Sequence, residues 1–471
     1  MHLSKLPLEI LDSILSDLDR HTDLIALALA AKELFRIVVP RHSEYRVLRI
    51  RHRFPGLWAH LARRADLSRN IREIHICQKN DQAIIEHYPT TLVSSAMPQG
   101  MLDPWNEEKE RVRNFLVVMG YMEQLKTFQW DFRYDAGSLY MSPDQELQLL
   151  GSLSKIASIE RLVLAGDLQC LASSAKNPQF QSVWNMPNLQ DLTLMGNVWS
   201  SPAALPSLKY ALKHSSQLKR LQIPIEAIGI CDFVIPTLRQ LSLFLQSGTT
   251  SNLIKQWNVF LENHPLLEDL WCNPSSTMVL PCNGLTKLKR LSIERNFLDS
   301  FQDAEKVPES IECLQYTSFR FNTGVVPPSR CNFGKLKKLY LLTVNAEEEL
   351  YAIAASCPAL TWLHIHECVK FELDVWLNFL SSFPDLEVFR GPGIWISVED
   401  DNNMMHIAIM KLVQRCMKLR ELDHRNVHGK RGKHRNIVIS KTQMEDGLHV
   451  GYEVQRPRTR DRIYFMDDAF T

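Results

Sequence analysis

The 471-residue sequence lacks long apolar runs, a secretory signal pattern and an excess of charge of either sign. Its longest candidate apolar run, residues 24–31, falls far short of the about 20 residues that a membrane-spanning helix needs. The first residues lack a basic segment followed by an apolar stretch and a cleavage site. We therefore expect no membrane partner and an intracellular protein, in the cytoplasm, the nucleus or both.

The charge balance argues against a nucleic-acid partner. Fifty-four Lys and Arg residues face 53 Asp and Glu residues, leaving a formal net charge of +1. A chain without a basic excess has no general field that attracts a phosphate backbone. Hydrophobic residues make up 45% of the chain, which is enough for a substantial core.

Cysteine usage and short motifs argue against metal sites and enzymatic chemistry. The ten cysteines include no C-x-x-C pair, so we expect reduced thiols rather than a disulfide scaffold or a structural zinc site. The segment from His366 to Lys370 begins like a zinc-protease H-E-x-x-H motif but has Lys in place of the second histidine. The basic run at 429–434 does not have the spacing of a phosphate-binding loop. We expect no catalytic residue, metal or cofactor, and therefore a protein that is not an enzyme.

Residues 6–39 contain apolar residues at helical spacing. Pro7 precedes the first stretch, where proline starts a helix without losing a hydrogen bond, and Thr22 and Asp23 are predicted to start the second as cap and first-turn acid. A unit this small buries little surface. It therefore either packs on the rest of the chain as a cap or offers its apolar face to a partner. The apolar positions are Ile10, Leu11, Ile14, Leu15, Leu18, Leu24, Leu27, Ala28, Ala31, Leu34, Phe35, Val38 and Val39.

The motif L-P-x-E-I-L-x-x-I-L from Leu6 to Leu15, followed by D-L-I-A-L-A from Asp23 to Ala28, resembles an F-box. Phe35 stands where many members of that family have Trp. The resemblance implies that residues 1–45 form three helices that bind a Skp-type adaptor and, through it, a cullin–RING ubiquitin ligase. The adaptor-binding residues that it implies are Leu6, Pro7, Ile10, Leu11, Ile14, Leu15, Leu18, Leu24, Leu27 and Ala28.

A pattern of the form [LI]-x-x-[LIF]-x-apolar recurs along most of the remaining chain, with clear copies at 189–194, 336–341 and 360–365. The middle apolar residues of successive copies are mostly 20 to 34 residues apart, with one longer step that includes the polar stretch 78–110. Steps of this size are typical of leucine-rich repeats. The segment from Cys357 to Cys368, CPALTWLHIHEC, closely resembles the cysteine-containing subtype of that repeat, which often follows an F-box.

Between the copies, the apolar spacing changes to that of helices, at 112–119, 147–156 and 350–354. Ser142 and Gln145 form a capping-box pattern before the second of these helices. The predicted fold class is α/β: an N-terminal three-helix F-box followed by an irregular leucine-rich-repeat solenoid, a horseshoe with a parallel inner sheet. We expect the solenoid over 46–436, with an insertion or irregular repeat at about 78–110. A β-rich cap is expected at 437–471, where apolar residues alternate around an E-D-G turn signal.

Side chains beside the middle apolar residue of each copy are predicted to face solvent on the concave side of the sheet. Trp, Tyr and Arg are enriched among the residues that dominate binding energy at protein interfaces. The candidate target-binding residues are Trp271, Arg290, Tyr340, Trp362, His364 and Arg390.

The sequence thus predicts a substrate receptor of a Skp–cullin–F-box ubiquitin ligase, in which the helices hold the adaptor and the solenoid holds a target protein. The alternative is a non-degradative leucine-rich-repeat scaffold or inhibitor-like binding protein, whose N-terminal helices only cap the first repeat. The two hypotheses differ in whether the apolar stripe at 6–39 is covered by the chain itself.

Overall fold

A computed structural model describes residues 6–18, 21–39, 42–43, 45–51, 55–77, 104–131, 141–173, 179–244, 251–273, 280–281, 284–293, 309–317, 333–398, 402–424, 436–444 and 447–455. The chain divides into two compact units, the first ending at Thr237 and the second beginning at Leu238. Among the helices in these ranges, none is both long enough and apolar enough to cross a membrane.

The first unit contains a parallel sheet whose strands follow one another in sequence order. Their middle apolar residues lie side by side, as in the pairs Leu162–Leu192 and Leu192–Leu221. These positions are fully buried, as the repeat pattern predicts. The strands are β1 (Val47–Arg51), β2 (Glu73–Cys77), β3 (Thr127–Asp131), β4 (Arg161–Ala165), β5 (Asp191–Met195) and β6 (Arg220–Pro224).

Helices occupy the segments between these strands. The capping box predicted at Ser142 is confirmed: Ser142 Oγ accepts from the Gln145 backbone N–H at 3.3 Å, and Gln145 Oε1 accepts from the Ser142 N–H at 2.9 Å. Thr22 is not the cap of its helix, because the helix already begins at His21. The helices are α1 (Leu8–Asp17), α2 (His21–Ala30), α3 (Lys32–Val38), α4 (Pro55–Arg63), α5 (Ala65–Ser68), α6 (Pro104–Met119), α7 (Pro143–Leu153), α8 (Gln169–Ser173), α9 (Gln179–Ser182) and α10 (Leu205–His214).

The second unit repeats this arrangement and ends differently. Parallel strands are β7 (Gln240–Phe244), β8 (Asp269–Asn273), β9 (Arg290–Ile293), β10 (Cys313–Thr317), β11 (Lys338–Val344), β12 (Trp362–Cys368), β13 (Val388–Arg390) and β14 (Glu421–Asp423). An antiparallel hairpin, β15 (Asn436–Met444) and β16 (Gly447–Gln455), follows β14. This hairpin lies in the segment where the alternation predicts a β-rich cap, and residues 456–471 of that segment lie outside the described residues. The helices are α11 (Ser251–Glu262), α12 (Glu347–Ser356), α13 (Leu373–Ser381), α14 (Gly393–Ser397) and α15 (Asn402–Arg415).

One buried residue, which we call the turn residue, stands three positions before the first apolar residue of each strand copy. In most of the copies given below, its carbonyl oxygen accepts from the N–H of that apolar residue, as between Phe333 and Leu336 at 2.9 Å. Proline follows it at 187, 236, 265, 358 and 384, where the preceding segment must end. The turn residues are Ser68, Met122, Ile156, Met186, Ser215, Ile235, His264, Leu285, Phe333, Cys357, Phe383 and Cys416.

One parallel strand per repeat, with a helix or irregular segment returning to the next strand, is the architecture of leucine-rich repeats. The α/β class and the mostly parallel sheet are therefore confirmed. Most of the expected insertion, residues 78–103, and the basic run at 429–434 lie outside the described residues. The end of the insertion, residues 104–110, belongs to α6, which is longer than the spacing predicts.

Candidate functional site

The three N-terminal helices have a small core of their own. Leu15 of α1, Leu24 and Ala28 of α2 and Val38 of α3 form one buried cluster. Leu18, Leu27, Ile37 and Val39 pack against this cluster and remain partly exposed. The three helices thus pack against one another through the apolar residues that face inward.

The outer half of those apolar residues faces solvent. The exposed fractions are 49% for Ile10, 43% for Ile25, 78% for Leu29 and 48% for Phe35. Pro7 is also exposed. Ile25 and Leu29 are four residues apart on α2, so they lie on the same face of that helix. Ile25 and Leu29 thus form an exposed apolar pair on α2, beside the exposed Phe35 of α3 in sequence order.

The adaptor-contacting residues inferred from the motif differ in their exposure. Leu11, Leu15, Leu24 and Ala28 are buried, and the last three belong to the cluster that joins the helices. Pro7 and Ile10 are exposed, whereas Leu6, Ile14, Leu18 and Leu27 are half-buried.

Sequence reasoning left Ile25, Leu29 and Phe35 out of the contact set. The sequence does indicate that Ile25 and Leu29 are exposed. From Leu24 to Ala30, α2 is apolar on nearly all sides, and a three-helix unit can cover only one side of this helix.

Arg46, just before β1, attaches α1 to the first repeat. Its buried guanidinium donates from Nη2 to the Leu15 carbonyl oxygen at 2.9 Å and from Nη1 to the Leu18 carbonyl oxygen. These carbonyls are at the C-terminal end of α1, where helical carbonyls lack donors four residues on and where a cation is favoured. The Leu15 carbonyl oxygen also accepts from the Leu18 N–H at 3.3 Å. The neighbouring Tyr45 is buried against α4, with its hydroxyl 3.3 Å from His60 Nε2. The helical unit is therefore fixed to the repeats at residues 45–46.

The second candidate surface is the sheet face opposite the helices, where the predicted target-binding residues lie. Tyr340 and Trp362 are only 6% and 8% exposed, which corrects the prediction that they face solvent. Together with Val388 they form a buried cluster, and Leu342 packs against it. Neighbouring strands are only about 4.8 Å apart, so bulky side chains in adjacent rows cover one another.

Arg390 is also not a free contact residue. Its guanidinium is paired with Glu421 at 2.8 Å and with Asp423 at 2.9 Å. The other carboxylate oxygen of Asp423 accepts from the Gly391 N–H at 2.8 Å. Gly391 has a φ of +109°, and a Cβ there would lie 1.9 Å from the Ile365 carbonyl oxygen, so only glycine fits. The arginine therefore stabilises this end of the sheet.

The remaining predicted target-binding residues are more exposed to solvent. Trp271 and His364 are half-buried, and the ring of His364 lies 4.2 Å from that of Tyr340. The side chain of Arg290 is 45% exposed and is bonded to Asp269, with Nε 2.5 Å from Oδ1. The first unit has a similar row, in which Asp191 lies 3.3 Å from both Arg161 and Arg220. In these two groups of neighbouring strands, basic and acidic residues therefore alternate.

A groove of about 480 Å³ lies in the second unit, at the amino ends of β10–β14. Two of its lysines are paired within the chain, Lys337 with Glu312 at 3.2 Å and Lys418 with Asp385 at 2.5 Å. Exposed ion pairs of this kind contribute little to stability, and because each is neutral overall, they do not favour a ligand of either charge. The groove is lined by Glu312, Gly334, Lys335, Lys337, Ala359, Thr361, Asp385, Glu387 and Lys418.

Within the described part of the chain, no group of three or more His, Cys, Asp and Glu side chains could hold a metal ion. The thiols described there are free, and most of them are buried. Burial raises the pKa of Cys231 to about 12 and that of Cys368 to about 11. Thiols with raised pKa values are poor nucleophiles at neutral pH.

No protein-family model matches the chain, and no curated protein matches its sequence. Solved structures with some similarity include a crystal structure of the Rad7 and Elc1 complex in yeast, with a TM-score of 0.41 and 14% identity over 85% of this chain and 95% of that chain. The leucine-rich repeat-containing protein LegL7 from Legionella pneumophila gives a TM-score of 0.34 and 12% identity, over 68% of this chain and 90% of that one. A TLR13–ssRNA13 complex gives 0.31 and 14%, over 70% of this chain and 48% of that one.

Proposed function

We propose that this chain is the substrate-recognition subunit of a Skp–cullin–F-box ubiquitin ligase. The N-terminal helices dock on a Skp-type adaptor, the repeats hold a target protein, and other subunits supply the bond chemistry. Such a subunit works by positioning its target and needs no catalytic residue or cofactor of its own. Its place of action is the cytoplasm or the nucleus.

The exposed apolar set on α1–α3 carries this proposal. Ile10, Ile25, Leu29 and Phe35 present large apolar side chains to solvent, on the segment whose motif resembles an F-box. A cap whose only role is to close the first repeat needs no such residues on its outer side. Burying them against a partner would remove their apolar area from water, and burial of one such side chain stabilises by about 1.5–3 kcal/mol.

Support also comes from the attachment through Arg46. Both of its carbonyl acceptors lie at the end of α1, so this helix is fixed relative to β1. A receptor must hold its target at a defined place relative to the adaptor, and a rigid junction is what that requires.

For the target, the sheet face offers Trp271 and Arg290 of neighbouring strands as partly exposed side chains. Their strands pair so that Trp271 is beside Ser292 and Asp269 beside Arg290. An aromatic residue next to a charged pair is a combination that protein interfaces favour.

The proposal is tested by co-expression of the full chain with a Skp-type adaptor and size-exclusion chromatography. The wild type is expected to co-elute with the adaptor. Ile10→Asp and Leu29→Asp are expected to weaken the complex by about 100-fold or more, because each puts a charge into an apolar contact. Val117→Asp is the matched control, since Val117 is also exposed (40%) on a helix of the same unit but lies outside the motif.

The alternative of a non-degradative scaffold has one observation in its favour, the use of Leu11, Leu15, Leu24 and Ala28 as internal core. If Ile10→Asp and Leu29→Asp both co-elute with the adaptor as the wild type does, the exposed set is not the docking face. If the wild type forms no complex while circular dichroism shows it folded, the helices are a cap. Leu11→Asp is unsuitable for this test, because it would unfold the helices themselves.

A further inference from the structure

We propose that the end of α4 and the amino ends of β2 and β3 form a binding surface for an acidic stretch of a partner protein. The surface shares no residue with the exposed apolar set of α1–α3 or with the sheet face proposed for the target, so it can be tested separately from both. We call it the basic strip, and it consists of Arg63, Arg64, Arg69, Arg72 and Lys126.

Charge is distributed unevenly along the chain, although the total is close to zero. Residues 36–72 contain ten arginines, no lysine and only two acidic residues, which gives this stretch a net charge of +8. The formal net charge of the chain is +1, so all other residues together carry −7. Residues 1–35, just before the stretch, have a net charge of −3. A block of one sign within a balanced chain is typical of a surface for a partner of opposite charge.

Four of these arginines lie at the end of α4 and just after it. α4 ends at Arg63, and α5 begins two residues later. At the end of α5, Ser68 Oγ donates to the Leu61 carbonyl oxygen of α4 at 2.9 Å, so α5 turns back onto the end of α4. Arg63 and Arg69 are exposed, and the side chain of Arg64 is 50% exposed. These three guanidinium groups are therefore accessible to a partner.

The basic strip continues onto the next repeat. The N–H of Lys126 donates to the Arg72 carbonyl oxygen at 2.7 Å, so these two residues are neighbours at the amino ends of β2 and β3. Arg69 Nε lies 3.5 Å from Oε1 of Glu123, which precedes Lys126 in the same repeat. Arg72 and Lys126 are half-buried and add positive charge beside the exposed arginines. One turn and two adjacent strands thus bring the five cations together.

The acidic residues within the basic strip do not neutralise it. Asp66 is bonded to Arg64, with Nε 2.9 Å from Oδ1 and Nη2 2.8 Å from Oδ2. The exposed pair of Arg69 with Glu123 contributes little to stability, so a carboxylate of a partner can replace Glu123 beside Arg69. Arg63 forms no ion pair with any of the described residues. The strip therefore keeps an excess of positive charge.

The surroundings of His60 on α4 show the same excess. Burial lowers the pKa of His60, and the charge of Arg64 lowers it further. Asp66 acts in the opposite direction, but Arg63 adds to the effect of Arg64. A site that disfavours another positive charge favours a negative one.

The basic strip fits a short acidic stretch of a protein better than a nucleic acid. The side chains of Asp66 and Glu123 are 40% and 69% exposed, so they would repel a phosphate backbone laid along the strip. The acidic N-terminal segment is attached beside it, since the N–H of Arg72 donates to the Arg46 carbonyl oxygen at 2.8 Å. Charges act over about 8 Å at physiological ionic strength. A continuous polyanion meets these acids, whereas separate carboxylates can each bind one guanidinium group.

Fluorescence anisotropy of the full chain with a labelled peptide of about eight glutamates tests the proposal. The peptide is expected to bind with a Kd of about 1–10 μM at low salt. Raising the salt from about 0.05 M to about 0.2 M should weaken binding by about 10-fold, because exposed charges are screened. A peptide with glutamine in place of glutamate should not bind. Arg63→Glu and Arg69→Glu should each weaken binding by about 10-fold, since each replaces a cation by a repelling carboxylate.

Arg420→Glu is the matched control. Arg420 lies just before β14, with its side chain 66% exposed and 2.7 Å from Glu387, so the variant changes the total charge equally but outside the basic strip. It should bind the glutamate peptide as the wild type does, and circular dichroism should show all three variants folded. Equal loss in Arg420→Glu, or no binding by the folded wild type, overturns the proposal. Tighter binding of a single-stranded DNA of matched charge also overturns it, because the strip is then a nucleic-acid site.

Discussion

Apolar side chains of similar spacing are exposed to solvent in the N-terminal helices and buried in the helices of the repeats. In α13, Trp376, Leu377, Phe379 and Leu380 are all buried. In α2, Leu29 is among the most exposed apolar side chains of the described residues, although its neighbour Ala28 is buried. The repeat helix has a sheet to cover its apolar face, whereas the three N-terminal helices form a small cluster of their own.

The two regions also end their helices differently. In the repeats, a buried turn residue follows the helix, and its carbonyl accepts from the first residue of the next strand copy. In the N-terminal unit, the end of α1 is held from outside by Arg46. The repeats are therefore stabilised continuously along the chain, whereas the helical unit has a small core and is attached through Arg46. This difference predicts where substitutions should act.

The largest effect is expected in the repeat core. Trp376 is fully buried, with the rings of Phe371, Phe379 and Phe389 at 5.7, 6.0 and 5.8 Å from it. Trp376→Ala leaves a large cavity and should lower the free energy of unfolding of the second unit by about 3–5 kcal/mol. Denaturant unfolding followed by circular dichroism measures it, with Tyr351→Ala, an exposed aromatic of α12, as control. A loss below about 1 kcal/mol would mean that the repeat core repacks freely.

A smaller and local effect is expected at the attachment. Arg46→Ala removes charged hydrogen bonds to two carbonyl oxygens of α1, each such bond being worth about 1.5–3 kcal/mol. We expect faster amide hydrogen exchange in α1–α3 and unchanged exchange in β4–β6, measured by mass spectrometry. Arg36→Ala, an exposed arginine of α3, is the control. If exchange rises equally in the strands, the helices and repeats unfold as one body and the comparison fails.

The smallest effect is a dependence on pH from a turn residue of the repeats. His264 is buried, stacked on Phe260 with a ring separation of 4.0 Å. Burial lowers the pKa of His264, although its bond to the Phe260 carbonyl opposes this. An unfolded histidine titrates near about 6.5, so below that pH the unfolded state binds the proton more readily and stability falls. The slope is at most about 1.4 kcal/mol per pH unit.

Urea unfolding at pH 7, 6 and 5 measures this slope. His264→Leu should flatten it, whereas His366→Leu, an exposed site, should leave it as in the wild type. Equal slopes in the wild type and His264→Leu would show that other groups carry the acid sensitivity.

The periodic part of the fold could be predicted from the sequence because strand and helix periods fix which residues share a face. Leu162, Leu192 and Leu221 were assigned to one buried row by spacing alone, and the structure pairs them in register. The capping box at Ser142 was predictable for the same reason, since it depends on residues three positions apart.

The candidate sites were less predictable, because spacing does not say what covers a face. Tyr340 and Trp362 are on the predicted side of the sheet, yet they bury each other across neighbouring strands. Leu11 and Ile10 belong to the same stripe of α1, and only the packing of three helices decides that the first is inside and the second outside. Arg390 is paired with two acids that are more than 30 residues away in sequence, which no local pattern reveals.

The buried turn residue has a consequence for how such a chain can evolve. It lies six positions before the middle apolar residue of each strand copy, whatever the length of the repeat. Differences in repeat length therefore fall between the end of one strand and the next turn residue, away from the bonds that set register. Insertions and deletions there can change the surface offered to a partner without altering the sheet beneath it. A lineage can then acquire new binding partners by lengthening these segments, while selection on folding acts on a short and constant stretch of each repeat.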